Sequence, residues 1–259
     1  MSGHPEFLIP DWPAPPAVRA AVTTRGGGFS TGPYASFNLA THVGDDLRAV
    51  AANRRRLQEA LALPAEPHWL EQVHGRRVAV LPRPVAGSAD AAVAFEPGLV
   101  AAVLVADCLP VLLANRAGSR VGIAHAGWRG LVTGVVEATV AALATDPAEL
   151  IAWLGPAIGP AAFEVGGELR RMFVATQPES EAEFRPGRGQ KYLADLPGLV
   201  RRRLAACGVT AVHGGGHCTV SDPQRFYSYR RDGRTGRMAA LIWLAAKRGP
   251  ETAAGPRLV

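Results

Sequence analysis

The sequence has little cysteine, and its first residues do not show the pattern of an export signal. Its three cysteines, Cys108, Cys207 and Cys218, cannot all pair with one another, and a chain of 259 residues can bury enough surface to fold without disulfides. Residues 1–16 contain prolines and acids instead of a basic start followed by an apolar core, so we expect no secretion. A reducing, cytoplasmic compartment is therefore the expectation.

The sequence also lacks a long apolar run and a concentrated basic patch. Residues 99–113 form the longest apolar stretch, but Asp107 and Pro110 interrupt it, and a membrane helix needs roughly 20 residues. The net charge of +6 makes nucleic acid a partner to consider. However, the tightest basic run, residues 201–203, falls in a predicted helix with leucines on its other side. We therefore expect neither a membrane nor a nucleic-acid partner.

Apolar spacing predicts a mixed α/β chain. Helices are predicted at residues 45–61, 130–143, 166–175 and from 195 to 207, where apolar residues recur at helical spacing or a cap precedes them. Strands are predicted at residues 77–81, 99–105, 111–114, 121–124, 151–154 and 209–213. Residues 238–246 fit a strand or a helix, and residues 177–190 are predicted to be a polar loop. No repeat or linker divides the chain, so one domain is the simplest organisation.

Three residues far apart in the chain are candidate metal ligands. His74, Cys108 and His125 each lie beside small or turn-forming residues next to an apolar run. The intervals of 34 and 17 positions are too long for the paired ligands of a zinc finger. Such donors on separate elements suit a zinc with an open fourth position, although each residue alone fits an ordinary structural role. A closed structural zinc with His42 or Cys218 as fourth ligand is the alternative.

Three arginine-bearing segments are candidate anion sites. Arg25 lies in TTRGGGFS, Arg129 in HAGWRG at a predicted helix start, and Arg230 in FYSYRRDG beside aromatic residues. Each segment is equally typical of an ordinary loop or hairpin.

The motifs, taken in order over residues 25–244, resemble the YfiH-like family. This family is also called the laccase-domain or multicopper polyphenol oxidase family, and its members are described as purine nucleoside phosphorylases. The resemblance rests on EQVHG with His74, ADCLP with Cys108, HAGWRG from His125, GPAIGP from Gly155, FEVG from Phe163 and SDPQRFYSYRRDGRTGRMA from Ser221.

The resemblance implies a zinc enzyme that acts on purine nucleosides and phosphate. It implies zinc ligation by His74, Cys108 and His125, phosphorolysis of adenosine, inosine, guanosine and methylthioadenosine, and deamination of adenosine. The fold implied is one α/β domain over residues 1–259, which we expect to be a layered sandwich with mixed sheets and loosely held ends at about residues 1–16 and 249–259. Some relatives carry a cysteine just before FEVG, where this chain has Ala161 and Ala162.

Phosphorolysis requires a phosphate held near the sugar, for which Arg25, Arg129 and Arg230 are the candidates. Asn38 and Gln72 are candidates for hydrogen bonds to the nucleoside.

For deamination, zinc would lower the pKa of a bound water from 15.7 toward about 7. Asp107, next to the ligand Cys108, is the candidate proton carrier, although strand neighbours point to opposite faces.

Three other functions fit parts of the sequence. A cysteine hydrolase would use Cys108 as nucleophile with His125 or His74 as base. A zinc-stabilised binding module would have no activity, and a family enzyme acting on a cell-wall precursor would keep the zinc. A multicopper oxidase is excluded because it needs about ten imidazoles, usually in His-x-His pairs, whereas this chain has seven histidines and no such pair. Copper stays an alternative occupant of the same three donors.

Overall fold

A computed structural model of the chain describes residues 3–82 and 87–246. The strands are β1 (Phe7–Leu8), β2 (Val18–Thr23), β3 (His68–Trp69), β4 (Val78–Val80), β5 (Ala91–Ala94), β6 (Val100–Val105), β7 (Leu109–Asn115), β8 (Val121–Ala126), β9 (Leu150–Leu154), β10 (Glu164–Val165), β11 (Phe184–Pro186), β12 (Tyr192–Ala194), β13 (Ala211–Gly214) and β14 (Met238–Leu244). The α-helices are α1 (Leu47–Ala60), α2 (Trp128–Thr133), α3 (Val135–Ala142), α4 (Gly167–Thr176), α5 (Leu196–Ala206) and α6 (Tyr229–Asp232), and 3₁₀ turns occur at Gly32–Tyr34, Pro147–Glu149 and Pro178–Glu183.

The strands form two large sheets and one small sheet. One large sheet has the order β13-β9-β7-β8-β5-β4, the other has the order β1-β2-β14-β6-β3, and the small sheet is β10-β12-β11. Both large sheets are mixed, because β13 pairs parallel to β9 and β3 parallel to β6, whereas β7 pairs antiparallel to both β8 and β9. The predicted mixed α/β class is therefore confirmed.

Strand β6 shows how the layers are stacked, because all of its residues are buried. Ala101 and Val103 pack in the core between the two large sheets, whereas Ala102 and Leu104 pack in a second core with Leu57 of α1. Covering both faces removes the need for polar alternation, which explains the uninterrupted apolar run in the sequence. The outer face of the six-stranded sheet packs against α3, α4 and α5. The layer order of helix, sheet, sheet and helices confirms the predicted sandwich.

Most predicted elements are present, and α1 begins as expected, because the Asp46 side chain accepts a hydrogen bond from the Arg48 backbone N–H (2.8 Å). The prediction of one helix over residues 130–143 is wrong. Gly134 separates α2 from α3 with a φ of 93°, a left-handed conformation that glycine adopts without steric cost. The predicted loop at residues 177–190 contains a 3₁₀ turn and β11. Residues 238–246 include the strand β14, buried between β2 and β6.

Within the predicted loose segment of residues 1–16, β1 pairs antiparallel with β2, so part of this segment is held in the sheet. The other predicted loose segment, residues 249–259, lies outside the described residues. Of the helices in the described ranges, none is both long and apolar enough to cross a lipid bilayer.

Candidate metal centre and its cavity

Three separate segments bring the predicted metal ligands together. His74 lies between β3 and β4, Cys108 in the turn between β6 and β7, and His125 on β8. The pairing of β7 with β8 sets Pro110 opposite His125, which places Cys108 beside that histidine. One donor atom from each residue lies within 4.8 Å of the others, and Cys108 Sγ is 3.8 Å from His74 Nε2.

Asp90, a residue that the motif analysis did not select, fixes both histidines. This fully buried carboxylate accepts a hydrogen bond from His125 Nδ1 (2.8 Å) and from the backbone N–H of His74 (2.9 Å) and Gly75 (2.7 Å). With Nδ1 occupied, His125 can offer only Nε2 to a metal, and carboxylates hold metal-binding histidines in this way. The backbone of His74 has a φ of 61°, so the same carboxylate also holds an unfavourable turn in place.

Gly127 allows the donors to meet. A Cβ atom at this position would lie 2.7 Å from Cys108 Sγ and 3.0 Å from His74 Cδ2, closer than van der Waals contact permits. A glycine two residues after His125 is therefore required for steric reasons, because any side chain there would overlap Cys108 and His74.

The local charges favour an ionised thiol. Burial opposes ionisation of Cys108, but the charge of His125 and hydrogen bonds from both histidines outweigh it and lower the pKa of Cys108 to about 6. Burial likewise disfavours a charged His125, yet the Cys108 thiolate and the Asp90 carboxylate raise the pKa of this imidazole to about 9. Asp90 is itself buried, and its hydrogen bond with His125 and those from backbone N–H groups keep its pKa below the ordinary value. A thiolate is the form of cysteine that binds metals.

Within residues 3–82 and 87–246, no fourth protein ligand joins the three donors. The cluster contains neither His42 nor Cys218, both of which lie in the described part of the chain. Cys218 Sγ instead accepts a hydrogen bond from the Gly159 backbone N–H (3.3 Å). The arrangement thus favours three ligands and an open position over a closed structural zinc site.

The open side of the cluster faces a cavity of about 490 Å³. This volume lies in the range of small-molecule binding sites. The cavity is lined by His42, Gln72, His74, Leu104, Ala106, Asp107, Cys108, His125, Gly127, Trp128, Arg129, Ile158, Phe163, Leu196, Tyr229, Arg230 and Arg237.

Asp107 lines the cavity together with Cys108, although neighbouring residues on a strand point to opposite faces. Asp107 precedes β7 and has a φ of 90°, so strand alternation does not apply to it. Its Oδ1 accepts a hydrogen bond from the Thr219 hydroxyl (2.5 Å), and its Oδ2 accepts one from the Arg230 backbone N–H (2.6 Å). The carboxylate is therefore held in one orientation.

Gln72, Arg129 and Arg230 also line the cavity, as their predicted roles require. The Gln72 amide exchanges two hydrogen bonds with the Leu104 backbone, at 2.9 Å and 2.7 Å. Arg129 stacks over the Trp128 ring at 4.4 Å, and Arg230 Nη1 donates to the backbone carbonyls of residues 162 and 164. Substrate contacts of these three residues stay predictions.

Arg25 and Asn38 are not among the residues that line this cavity. The Arg25 guanidinium donates to the carbonyl oxygens of Ala35 and Pro223. Asn38 is fully buried, and its side chain hydrogen-bonds to Ala40, Asp45 and the backbone N–H of Arg237. The predicted roles of these two residues in substrate binding stay predictions.

The sequence reasoning missed Asp90 and Arg237. An isolated acid beside a run of alanines was the available signal for Asp90, because a lone charge in an apolar segment needs a partner when it is buried. Arg237 stands inside the motif GRTGRMA, but nothing in its spacing distinguishes it from the neighbouring arginines. Only the folded chain places it in the cavity wall.

Comparisons with known proteins agree with the motifs. Residues 19–245 match the family described as multi-copper polyphenol oxidoreductase laccase. The chain is 55% identical over 239 residues to a Pseudomonas aeruginosa protein named purine nucleoside phosphorylase, covering 92% of this chain and 98% of the relative. It is 52% identical over 241 residues to purine nucleoside phosphorylase YfiH of Escherichia coli, covering 92% of this chain and 99% of the relative.

Solved structures agree as well. A crystal structure of a Neisseria meningitidis protein of the DUF152 family superposes with a TM-score of 0.88 at 48% identity, covering 93% of this chain and 99% of the other. YlmD from Geobacillus stearothermophilus gives a TM-score of 0.83 at 34% identity, covering 89% and 93% of the two chains. This chain therefore belongs to the YfiH family, the laccase-like family whose curated relatives are named purine nucleoside phosphorylases.

Proposed function

We propose that the chain is a purine nucleoside phosphorylase that holds one zinc ion on His74, Cys108 and His125. Its substrates are adenosine, inosine, guanosine and methylthioadenosine with inorganic phosphate, and adenosine deamination is a second reaction of the same cavity. The names of relatives at 55% and 52% identity support the activity. The observation that carries the proposal is the convergence of three donor atoms, within 4.8 Å of one another, on the wall of a ligand-sized cavity.

The donor set fits zinc. One thiolate and two imidazoles are its usual ligands, and the same set also binds copper, which outranks zinc in affinity. The low pKa of Cys108, about 6, supplies the thiolate without help from a metal, and Asp90 orients His125. When bound, zinc supplies a Lewis acid that can polarise a substrate atom or lower the pKa of a water toward about 7.

Phosphorolysis joins a phosphate oxygen to the ribose carbon C1′ and breaks the bond from that carbon to the purine nitrogen. The electron pair of the broken bond leaves with the purine, which takes up a proton. Arg129 and Arg230 lie in the cavity wall, where they hold the phosphate and offset its charge. Gln72 uses one amide hydrogen on Leu104, which leaves the second for the nucleoside.

Deamination adds water to the purine carbon that bears the amino group and releases ammonia. This step moves a proton from the water to the departing amine. Asp107 is the proposed carrier, because it lines the cavity beside Cys108 and its two hydrogen bonds fix the carboxylate.

A cysteine hydrolase is a second candidate, which the charge state of Cys108 favours. A thiolate beside a buried imidazolium, itself bonded to a carboxylate, is the arrangement of a nucleophilic cysteine. The two candidates make opposite predictions for metal removal. Chelation abolishes activity of the zinc enzyme and leaves the hydrolase active.

One experiment tests the proposal. Purified protein is assayed for bound metal and then incubated with adenosine and phosphate, while adenine, hypoxanthine, inosine and ribose 1-phosphate are separated by chromatography. We expect about one zinc per chain and formation of ribose 1-phosphate that depends on phosphate. Full activity in metal-free protein, or no nucleoside turnover by the zinc-loaded protein, contradicts the proposal.

A further inference from the structure

Three guanidinium groups lie in the cavity wall, and one differs from the other two in its surroundings. Arg129 and Arg230 are exposed, whereas Arg237 is half-buried. Asp107 and Cys108 line the same cavity as Arg237, and their negative charges act on its guanidinium. Arg237 is therefore the cavity cation that is most shielded from water.

Hydrogen bonds hold Arg237 in place but do not use its whole guanidinium. Its Nη1 donates to the carbonyl oxygens of Thr235 (2.9 Å) and Gly236 (3.0 Å), and its backbone N–H donates to Asn38 Oδ1 (2.9 Å). Over residues 3–82 and 87–246, its Nε and Nη2 have no hydrogen-bond partner, and no carboxylate lies within 4.0 Å of the guanidinium. Neither nitrogen is both buried and unpaired in that part of the chain, so both keep some exposure to solvent, and they belong to a side chain that lines the cavity.

Partial burial makes the free edge of this cation a strong anion site. Burial lowers the pKa of Arg237 from its ordinary value, which reflects the loss of water around the charge. Arginine stays protonated in proteins, so the group remains a cation that has lost solvent, and in the described part of the chain no carboxylate forms a direct ion pair with it. The Nε and Nη2 atoms form the planar edge that binds two oxygens of a phosphate or carboxylate.

Resting on the proposed function, we infer that Arg237 binds the inorganic phosphate used in phosphorolysis and positions it for attack on C1′. The two accessible nitrogens hold two phosphate oxygens, which leaves a third oxygen to form the new bond to C1′. The bond from C1′ to the purine breaks with its electron pair on the purine, and the proton of the hydrogen phosphate ends on that base. Buried Asn38 acts through Arg237, whose backbone it holds, without touching the phosphate.

The test compares Arg237→Gln and Arg237→Lys with Arg234→Gln in the zinc-loaded full chain. Arg234 is a matched control, because it lies on the same segment and donates to Tyr34 Oη but does not line the cavity. Two quantities are measured: the Kd for inorganic phosphate by titration calorimetry, and the KM values for phosphate and inosine, each varied separately.

We expect Arg237→Gln to raise the Kd and KM for phosphate about 10- to 100-fold, with a much smaller change in the KM for inosine. Arg237→Lys keeps the charge but loses the planar edge, so its phosphate constants should lie between those of the wild type and the glutamine variant. Arg234→Gln should match the wild type. Phosphate constants within about twofold of the wild type in Arg237→Gln would overturn the inference.

Two further outcomes separate this inference from the proposed function. If the wild type binds phosphate through Arg237 but cleaves no nucleoside, the proposed function fails while the anion site stands. If the wild type cleaves nucleosides without binding phosphate, the inference fails by itself. Should Arg237→Gln lose its zinc, Arg237→Lys decides: a raised phosphate KM supports the inference and an unchanged one overturns it.

Discussion

The wall of the cavity that carries the proposed metal donors and the wall that carries the arginines are fixed in different ways. His74, Cys108 and His125 have short side chains. The pairing of β7 with β8 fixes the backbone near Cys108 and His125, and the buried carboxylate of Asp90 holds the His74 backbone and the His125 side chain. The arginines reach the cavity on long side chains, each fixed at one nitrogen or by ring stacking. A metal ion requires donor atoms at fixed distances, whereas flexible arginine side chains can change conformation to bind a phosphate. Changes in the donor wall should therefore have larger effects.

The largest effect is expected for Cys108→Ser. A serine hydroxyl stays protonated at neutral pH and is a poor zinc ligand, so bound zinc should fall below about a tenth of the wild-type content and nucleoside turnover by at least about 100-fold. Metal analysis measures the zinc content, and product chromatography measures the nucleoside turnover. Cys207→Ser, at the end of α5 outside the donor cluster, is the matched control. Normal zinc content in Cys108→Ser would mean that the thiol is not a ligand.

Asp90→Asn should be the next largest change. The amide removes the negative charge that holds His125, and its NH2 group replaces one carboxylate oxygen. That NH2 then lies against the backbone N–H of either His74, which donates to Oδ1, or Gly75, which donates to Oδ2, so zinc affinity should fall about 10- to 100-fold. Competition with a chelating dye measures the affinity. The exposed helix cap Asp146 offers the control Asp146→Asn, which should keep full affinity. Equal affinities for the two variants would show that the carboxylate does not support the donors.

Zinc affinity should also depend on pH. Without metal, the pKa of Cys108 is about 6 and that of His125 about 9, so between these values the pair is a thiolate and an imidazolium. Binding must then release the His125 proton, and the affinity should rise about tenfold per pH unit from pH 6 to 9. Below pH 6, zinc must also displace the proton of the Cys108 thiol, so the dependence of affinity on pH becomes steeper. Dye competition from pH 6.5 to 9.5 measures the slope, and a flat profile between pH 7 and 9 contradicts this assignment.

The smallest effect is expected in the arginine wall, for Arg129→Gln. Arg129 is exposed and stacked on Trp128, so water and salt screen its charge. The KM for phosphate should rise only about two- to fivefold, and the difference from the wild type should shrink as salt is added. Initial rates at two ionic strengths check this. A loss as large as that of Arg237→Gln would place the phosphate beside Arg129 as well as Arg237.

The sequence predicted local structure well where one physical rule dominated. The apolar run of β6 and the capped pattern of α1 both appear as expected, because burial on two faces and helical spacing leave clear periodic signals. The predictions failed where one residue decided the backbone. Gly134 divides a continuous apolar stripe into α2 and α3. The spacing of apolar residues does not reveal this break, because the residues on both sides of the left-handed glycine keep the apolar pattern.

The candidate site divides in the same way. The motifs named His74, Cys108 and His125, and the structure brings their donor atoms together. They could not separate cavity arginines from structural ones, since Arg25 and Arg237 each stand next to a glycine within a motif. The guanidinium of Arg25 is used by backbone carbonyls, whereas that of Arg237 keeps a free edge in the cavity.

The amino-acid sequence by itself determined the mixed α/β class, most of the long helices and central strands, the family and the three candidate donors, because these depend on residue type, motifs and local spacing. Tertiary structure alone decided that Asp90 holds the two histidines and that Arg237 lines the same cavity as the proposed donors. Both depend on contacts between residues 16 to 199 positions apart, for which a single sequence carries no local signal. Burial gives Asp90 and Arg237 their particular roles, because a charge removed from water must find a partner. Asp90 finds its partner in the fold, and Arg237 is proposed to find one in a ligand.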